Sequence, residues 1–184
     1  MTGHKRVRML RTAELTFAEA SSVRELLRDA FADDEDGQFT EDDWLHALGG
    51  VHFVLDTGGQ IHAHAAVVQR ELHVGDRPFR TGYVEAVAVA PNSQRRGLGT
   101  TVMREVARHI MADYELGALG TGSHAFYQRL GWQRWRGRSS VRVSSGLTAT
   151  PDDDGYIMVL HTPRTPKLDL DAPISCEWRA GDVW

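Results

Sequence analysis

The sequence predicts a mixed α/β fold that forms a single domain over residues 1–184. Stretches that alternate or run apolar, as strands do, are interleaved with stretches whose apolar residues recur at helical spacing. The 184 residues can bury one sizeable core, and no repeat or long linker divides them. With 41% hydrophobic and 25% charged residues, the composition is that of a globular chain and not of a disordered one.

The N-terminal part of the chain predicts one strand and then two helices. Val7–Leu10 is a short apolar-rich run typical of a strand. The apolar residues of the first helix share one face and are Val23, Leu26, Leu27, Ala30 and Phe31. Thr40 is a candidate N-cap for the second, short helix, with Asp43 completing a partial capping box. Gly49-Gly50 ends that helix.

Three strands are predicted in the middle of the chain, and β-branched residues are frequent in them. These strands are Val51–Leu55, Ile61–Val74 and Phe79–Ala90. Thr57-Gly58-Gly59-Gln60 is a hairpin signal between the first two, and Gly75-Asp76 turns the chain into the third.

The C-terminal half continues with a helix from Gly97, a short buried strand at Leu116–Leu119 and a last helix capped by Ser123. Two strand-like runs follow, separated by a polar loop, and a proline-containing tail is expected to be extended. The two runs are Trp132–Val143 and Tyr156–Leu160. This order of elements predicts a mixed sheet flanked by helices.

Several classes of function are disfavoured by composition. A net charge of -4 argues against nucleic-acid binding, and no apolar run is long enough to predict a membrane span. The lone Cys176 excludes a disulfide scaffold and fits a reducing compartment such as the cytoplasm. His62 and His64 share one face of a strand, but no third ligand accompanies them, so we expect polar strand residues and no metal site.

The sharpest local feature is the basic, glycine-containing segment Gln94–Gly99, which joins a strand to a helix. Free N–H groups at a helix N-terminus bind phosphate, glycine allows a close approach, and Arg95 and Arg96 add positive charge. No Lys-Ser/Thr follows the last glycine, as a Walker A loop requires, and Val102 stands where a Rossmann motif needs a small residue. The remaining pattern is Gln/Arg-x-x-Gly-x-Gly, and a plain strand-to-helix turn with solvated arginines is the alternative.

This loop resembles the acetyl-CoA loop of the Gcn5-related N-acetyltransferase (GNAT) superfamily, and Ser123–Trp132 resembles its second signature. Within that superfamily, four stretches look like the aminoglycoside 2'-N-acetyltransferases, and the resemblance covers nearly the whole chain. They are Gly82–Glu85, Leu116–Leu119, Thr150–Gly155 and Trp178–Trp184. The resemblance implies a single GNAT-type domain, with a mixed central sheet, about four helices and a splayed acetyl-CoA cleft.

The resemblance also implies an activity. Acetyl would pass from acetyl-CoA to the 2'-amine of an aminoglycoside antibiotic by direct attack in a ternary complex, without a metal, in a cytoplasmic homodimer. Two alternatives stay open. One is acetylation of another amine, such as a polyamine, a cell-wall amino sugar or a peptide. The other is a non-catalytic protein that binds cationic ligands or acetyl-CoA.

Roles in the reaction come from the same resemblance. Glu85 is expected to be the general base or the anchor of the amine, and Tyr127 the acid that protonates the leaving thiolate. Without the resemblance, the alternatives are a solvated or paired carboxylate on an edge strand for Glu85 and a core aromatic with its hydroxyl at the rim for Tyr127. The residues implied in acetyl-CoA binding are Val87, Ala88, Val89, Gln94, Arg95, Arg96, Gly97, Leu98 and Gly99, with one backbone N–H of the strand polarising the thioester carbonyl.

A polycationic substrate fits a pocket that contains several carboxylates. The implied substrate contacts are Gln38, Asp43, Glu85, Ala86, Asp152, Asp153, Asp182 and Trp184. An acid-rich turn and a frayed tail are the alternatives for the last four. Two positions depart from the family pattern. Gln38 stands where the family tends to have an acid, for which Asp36 or Asp43 can compensate, and Ala86 stands where it has glycine.

Overall fold

The computed structural model describes residues 6–32 and 38–184. Over these residues the chain forms ten strands and four α-helices. The strands are β1 (Val7–Arg11), β2 (Val51–Thr57), β3 (Gln60–Val74), β4 (Arg77–Val89), β5 (Leu116–Gly120), β6 (Gln133–Arg134), β7 (Ser139–Val143), β8 (Gly146–Ala149), β9 (Ile157–His161) and β10 (Ile174–Glu177). The helices are α1 (Phe17–Ala30), α2 (Glu41–Ala47), α3 (Leu98–Asp113) and α4 (His124–Gln128).

The chain divides into two compact units. The first contains the residues up to Val68 together with Val84–Val106, and the second contains Gln69–Tyr83 together with Ala107–Trp184. Strands β3 and β4 and helix α3 each contribute residues to both units. Within the described ranges, no helix is both long and apolar enough to cross a membrane.

The first unit is built on an antiparallel β1-β2-β3 meander, in which Val7 pairs with Leu55 and Val51 pairs with Val67. The predicted hairpin between β2 and β3 is confirmed. Gly58 and Gly59 both have positive φ angles, +61° and +84°, as the two central residues of a type I′ turn require.

Two amphipathic helices cover the apolar side of this meander. The predicted cap of α2 is confirmed, because the Thr40 hydroxyl accepts from the Asp43 N–H while the Asp43 carboxylate accepts from the Thr40 N–H. The buried core that the helices and strands share consists of Val23, Leu26, Leu27, Trp44, Ala47, Val54, Ile61, Ala66 and Ala88.

The second unit contains a mixed sheet with the strand order β6-β9-β5-β4-β3-β10-β7-β8. The β4–β5 pair, which is formed by Thr81–Tyr83 with Leu116–Ala118, is parallel, as is the β10–β7 pair, whereas β5 and β9 are antiparallel. The predicted α/β class, with a mixed sheet and four helices, is therefore confirmed.

The single strand predicted over Trp132–Val143 is wrong. The chain forms β6 and then β7, because between them the N–H groups of Arg136 and Gly137 bond to the carbonyl of Leu170. A side chain at Gly137 would collide with the carbonyl oxygen of Ala172, only 1.8 Å from the position of a Cβ atom. The tail passes too close to this segment for a regular strand.

Three smaller expectations also need correction. The polar loop before β9 contains β8, which pairs with β7, and the tail contains β10, which places Cys176 in the buried interior. Ser123 lies at the start of α4, but its side chain makes no capping hydrogen bond. These differences arise from non-local pairing that short-range periodicity does not report.

Candidate active site

The basic loop after β4 is built as a phosphate-binding turn would be. Arg95 and Gly97 have left-handed backbones, with φ angles of +58° and +76°, and α3 begins directly afterwards. The first helical hydrogen bond runs from the Thr101 N–H to the Gly97 carbonyl, at 3.0 Å. The N–H groups of the residues before Thr101 in the first turn are therefore available to an anion. The Arg95 and Arg96 side chains are exposed beside them.

A histidine of β3 holds the start of this loop. The His62 carbonyl accepts from the Ala90 N–H at 2.9 Å, and the His62 Nδ1 lies 3.2 Å from the Ser93 hydroxyl. Ser93 is buried and donates in turn to the Asn92 side chain, so His62 is the donor to Ser93. The loop is thus attached to β3 before any ligand arrives. His62 was expected to be only a polar strand residue.

The end of β4 leading into this loop carries the predicted base. Glu85 is half-buried, and Ala88 is turned into the core of the first unit, whereas Val87 and Val89 on the other face are half-buried. Ala86 has a φ angle of +52°, a left-handed conformation inside a strand, as found in β-bulges. The carbonyl of Ala86 accepts a 2.8 Å hydrogen bond from His64. A positive φ angle favours glycine, which is the residue that the family resemblance implies at this position.

Gln38 and Asp43 lie in the same unit. The Gln38 side chain is exposed and donates weakly to the Ala32 carbonyl at 3.4 Å, while Phe39 beside it packs against the same core as Ala86. One oxygen of the Asp43 carboxylate accepts from both the N–H and the hydroxyl of Thr40. Asp43 therefore already serves as a helix cap. Asp36 lies outside the described residues.

Two of the predicted acidic residues of the second unit, Asp153 and Asp182, lie near each other, and Asp182 contacts Trp184. The indole N–H of Trp184 donates to the Thr150 hydroxyl at 2.9 Å, and its backbone N–H donates to the Asp182 carboxylate at 3.2 Å. Burial, together with the nearby Asp182 carboxylate, raises the pKa of Asp153. Trp184 is 5% exposed, so the C-terminal segment is packed and not frayed.

The three consecutive aspartates have different surroundings. Asp152 is exposed and Asp153 lies near Asp182. Asp154 instead accepts from the Arg138 guanidinium at 2.7 Å and from the Ser139 N–H at 2.8 Å, which lowers its pKa. Asp154 therefore stabilises the turn, whereas Asp152 faces solvent and Asp153 lies beside Thr150 and Asp182.

Tyr127 lies on α4 and is buried, at 7% exposure. Its ring packs edge-on against Phe126, with 4.9 Å between centroids, and also contacts Trp132. Burial raises the pKa of the phenol above its usual value, so the hydroxyl keeps its proton at neutral pH. The structure thus supplies a protonated phenol at this position.

The structure groups the predicted residues within each unit. The first holds Gln38, Asp43, the Glu85–Val89 end of β4 and the loop to Gly99, and the second holds Tyr127, Asp152, Asp153, Asp182 and Trp184.

The described residues include no cluster of three or more His, Cys, Asp or Glu side chains able to hold a metal ion. Sequence reasoning missed Ser93, Thr150 and His64, although the paired spacing of His62 and His64 was a signal for the last.

Comparison with known proteins gives consistent matches. A family described as an acetyltransferase (GNAT) domain matches residues 11–135. An aminoglycoside 2'-N-acetyltransferase from Mycolicibacterium fortuitum is 41% identical over 181 residues, covering 96% of this chain and 91% of that protein.

Solved structures show the same fold. A GNAT family acetyltransferase from Brucella melitensis, in complex with acetyl-CoA, aligns with a TM-score of 0.62 and 18% identity, covering 96% of this chain and 98% of that one. A GCN5-related N-acetyltransferase from Kribbella flavida aligns with a TM-score of 0.58 and 21% identity over 73% of this chain. This chain covers 34% of the Kribbella chain, about a third of its length.

The backbone of Ala86 predicts an unusual response to glycine. Ala86→Gly should raise the free energy of unfolding by up to about 1 kcal/mol, because the relief of a left-handed alanine exceeds the entropic cost of glycine. In the matched control Ala88→Gly, which alters a buried residue of regular strand, stability should fall by about 1 kcal/mol. Urea unfolding measures both. A fall of equal size in the two variants would contradict the account of Ala86.

Replacing Asp153 or Asp154 by asparagine is expected to shift the melting temperature in opposite directions. At pH 7, Asp153→Asn should raise the melting temperature, since the folded state holds this carboxylate at a raised pKa and its ionisation disfavours folding as pH rises. Asp154→Asn should lower the melting temperature, since its lowered pKa marks a carboxylate whose ionised form stabilises the fold.

Both effects should vanish well below pH 3.8, the usual pKa of an aspartate, because both residues are then protonated in the folded and unfolded states. Melting curves of the parent and the two variants across pH measure this. Shifts of the same sign at pH 7 would refute the assignment.

Proposed function

Because this chain belongs to the GNAT acetyltransferase family and is a relative of an aminoglycoside 2'-N-acetyltransferase, we propose that it acetylates the 2'-amine of aminoglycoside antibiotics. The observation that carries the proposal is the 41% identity to the Mycolicibacterium fortuitum enzyme across 96% of the chain. The acidic group around Trp184 supports it, because such a group attracts and orients a polycation.

Acetyl-CoA is the acetyl donor in this proposal. The loop after β4 fits its pyrophosphate, since a left-handed Gly97, the free N–H groups at the start of α3 and two exposed arginines meet there. Val87–Val89 would bind the pantetheine arm through their backbone groups, and one backbone N–H would polarise the thioester carbonyl. When bound, acetyl-CoA supplies an acetyl group activated as a thioester.

Glu85 prepares the amine for attack. An amine near its usual pKa is mostly protonated at neutral pH and cannot attack, so a carboxylate that accepts its proton, directly or through water, accelerates the reaction. The neutral nitrogen then attacks the thioester carbon directly in a ternary complex, and the bond to sulfur breaks.

Tyr127 protonates the leaving thiolate. Burial raises the pKa of its phenol above that of free tyrosine, so the hydroxyl stays protonated until the thiolate forms. Exclusion of water also raises the pKa of the leaving thiol, because it disfavours the charged thiolate. Transfer of the proton from the phenol to sulfur is therefore easier than in water.

Substrate recognition falls to the acidic residues. Asp152, Asp153 and Asp182 provide charge-assisted acceptors for ammonium groups, and a cation beside Asp153 would remove the repulsion that raises its pKa. Trp184, anchored by Thr150, shapes this part of the pocket. Gln38 offers a neutral acceptor, and Asp43 and Ala86 are the remaining proposed contacts.

Three further properties complete the proposal. Residues 1–184 act as one N-acetyltransferase domain, which is supported by a family match that includes residues of both compact units. The protein works as a homodimer, as the resemblance to its family implies. Its location is the cytoplasm, where acetyl-CoA is available and where modification of the antibiotic would confer resistance.

Kanamycin B and kanamycin A test the proposal, since the first carries an amine at the 2' position and the second a hydroxyl. Thiol release from acetyl-CoA should be rapid with kanamycin B and weak with kanamycin A. Equal rates would refute 2' transfer and favour another amine. Acetyl-CoA binding without turnover, also with polyamines and peptides, would indicate a non-catalytic binding protein.

Two variants test the assigned roles in the same assay. Glu85→Gln and Tyr127→Phe should each lower kcat by roughly 10²–10⁴-fold, the usual contribution of a general base or acid. Lys167→Gln, on an exposed side chain of the second unit, is the control and should leave the rate unchanged. Retention of full activity by Glu85→Gln would remove that residue from the mechanism.

A further inference from the structure

A hydrogen-bonded chain of side chains runs through the interior of the first unit and ends at the left-handed residue beside Glu85. The Gly49 N–H donates to the Thr12 hydroxyl, which lies 2.9 Å from the His52 Nε2 atom. The His52 Nδ1 atom lies 3.0 Å from the His64 Nε2 atom, and the His64 Nδ1 atom lies 2.8 Å from the Ala86 carbonyl oxygen. Both imidazoles are fully buried.

The Ala86 end of the chain determines which atom donates in each of its hydrogen bonds. The Ala86 carbonyl can only accept, so the proton of His64 is on Nδ1, and its Nε2 atom must accept from the Nδ1–H of His52. The Nε2 atom of His52 therefore accepts from the Thr12 hydroxyl. Both histidines are neutral and share one tautomer, in agreement with burial that lowers the pKa of His52 to about 4 and that of His64 to about 3.

The arrangement has a cost and a constraint. Burying two imidazoles costs desolvation free energy, which is offset only while every member of the chain keeps its hydrogen bonds. The histidines also fix the orientation of a backbone peptide group. The hydrogen bond from His64 fixes the plane of the Ala86–Val87 peptide, and in a trans peptide the N–H points opposite to the carbonyl.

We propose that His64, supported by His52 and Thr12, is a positioning residue for acetyl transfer. By holding the Ala86 carbonyl it sets the direction of the Val87 N–H and the left-handed backbone that aims Glu85. The Val87 N–H is thereby the donor that polarises the thioester carbonyl. This inference rests on the proposed function, because it concerns the groups assigned to the reaction there.

Three variants of β3 test this role. His64→Leu removes the donor to Ala86 and should lower kcat by roughly 10–100-fold, the cost of a small misplacement of reacting groups. The KM for acetyl-CoA should change less than about twofold, since the loop after β4 is attached through His62. His64→Asn places an amide N–H near the former Nδ1 atom and should restore most of kcat. Val67→Ala, a fully buried change in the same strand, is the control and should leave kcat unaltered.

A second readout does not depend on turnover. In the parent protein, the ¹⁵N spectrum should show the Nδ1–H tautomer for His52 and His64, and the ¹³C shifts of Ala86 should report a positive φ angle. In His64→Leu the Ala86 signature should be lost, and in His64→Asn it should return.

The outcomes separate the two claims. If the parent fails to acetylate any aminoglycoside but the Ala86 signature disappears in His64→Leu, the proposed function is wrong, whereas the positioning of Ala86 by His64 is supported. If the parent is active and His64→Leu keeps its kcat or its Ala86 signature, the positioning role is overturned. If the His64→Leu variant fails to fold, the tautomers of the parent protein and the His64→Asn variant provide the test. An Nε2–H tautomer at His64 in the parent protein would overturn the proposal.

Discussion

The hydrogen bond from His64 to the Ala86 carbonyl is the contact on which the proposed catalytic part of the first unit depends. An alanine with a φ angle of +52° is unfavourable in isolation and persists where its surroundings fix it. His64 fixes it from β3, and His62, two residues earlier on the same strand, holds Ser93 in the following loop. One strand thereby contacts both the left-handed residue beside Glu85 and the loop proposed to receive a pyrophosphate.

In the second unit, ionisation of the half-buried Asp153 is disfavoured first by desolvation and then by the nearby, exposed Asp182 carboxylate. Asp153 is held close to Asp182 at a cost in stability, while the neighbouring Asp154 is fully compensated by Arg138 and Ser139. If these acidic residues bind the substrate as proposed, an ammonium group beside Asp153 would offset its repulsion with Asp182. Substrate binding would then favour the ionised form of this carboxylate.

Local sequence patterns predicted the features that local geometry determines. Gly58-Gly59 and the pair Thr40 and Asp43 specify a turn and a cap from a few neighbouring residues, and both formed as expected. The break between β6 and β7 could not be predicted, because the cause is Leu170 in the distant tail. The left-handed Ala86 was equally hidden, since alanine carries no local signal for that conformation and its partner His64 lies on another strand. The sequence also showed no sign of the partners of Asp154, because Arg138 and Ser139 reach its carboxylate from a segment about fifteen residues earlier.

The decisive measurement is the position of the acetyl group in the product. Kanamycin B carries several amines, and two-dimensional NMR of the purified product identifies the nitrogen that was acetylated. We expect a single product with acetyl on the 2'-nitrogen, formed at a rate that falls with Glu85→Gln. Acetyl on any other nitrogen, or a mixture of products, would contradict it.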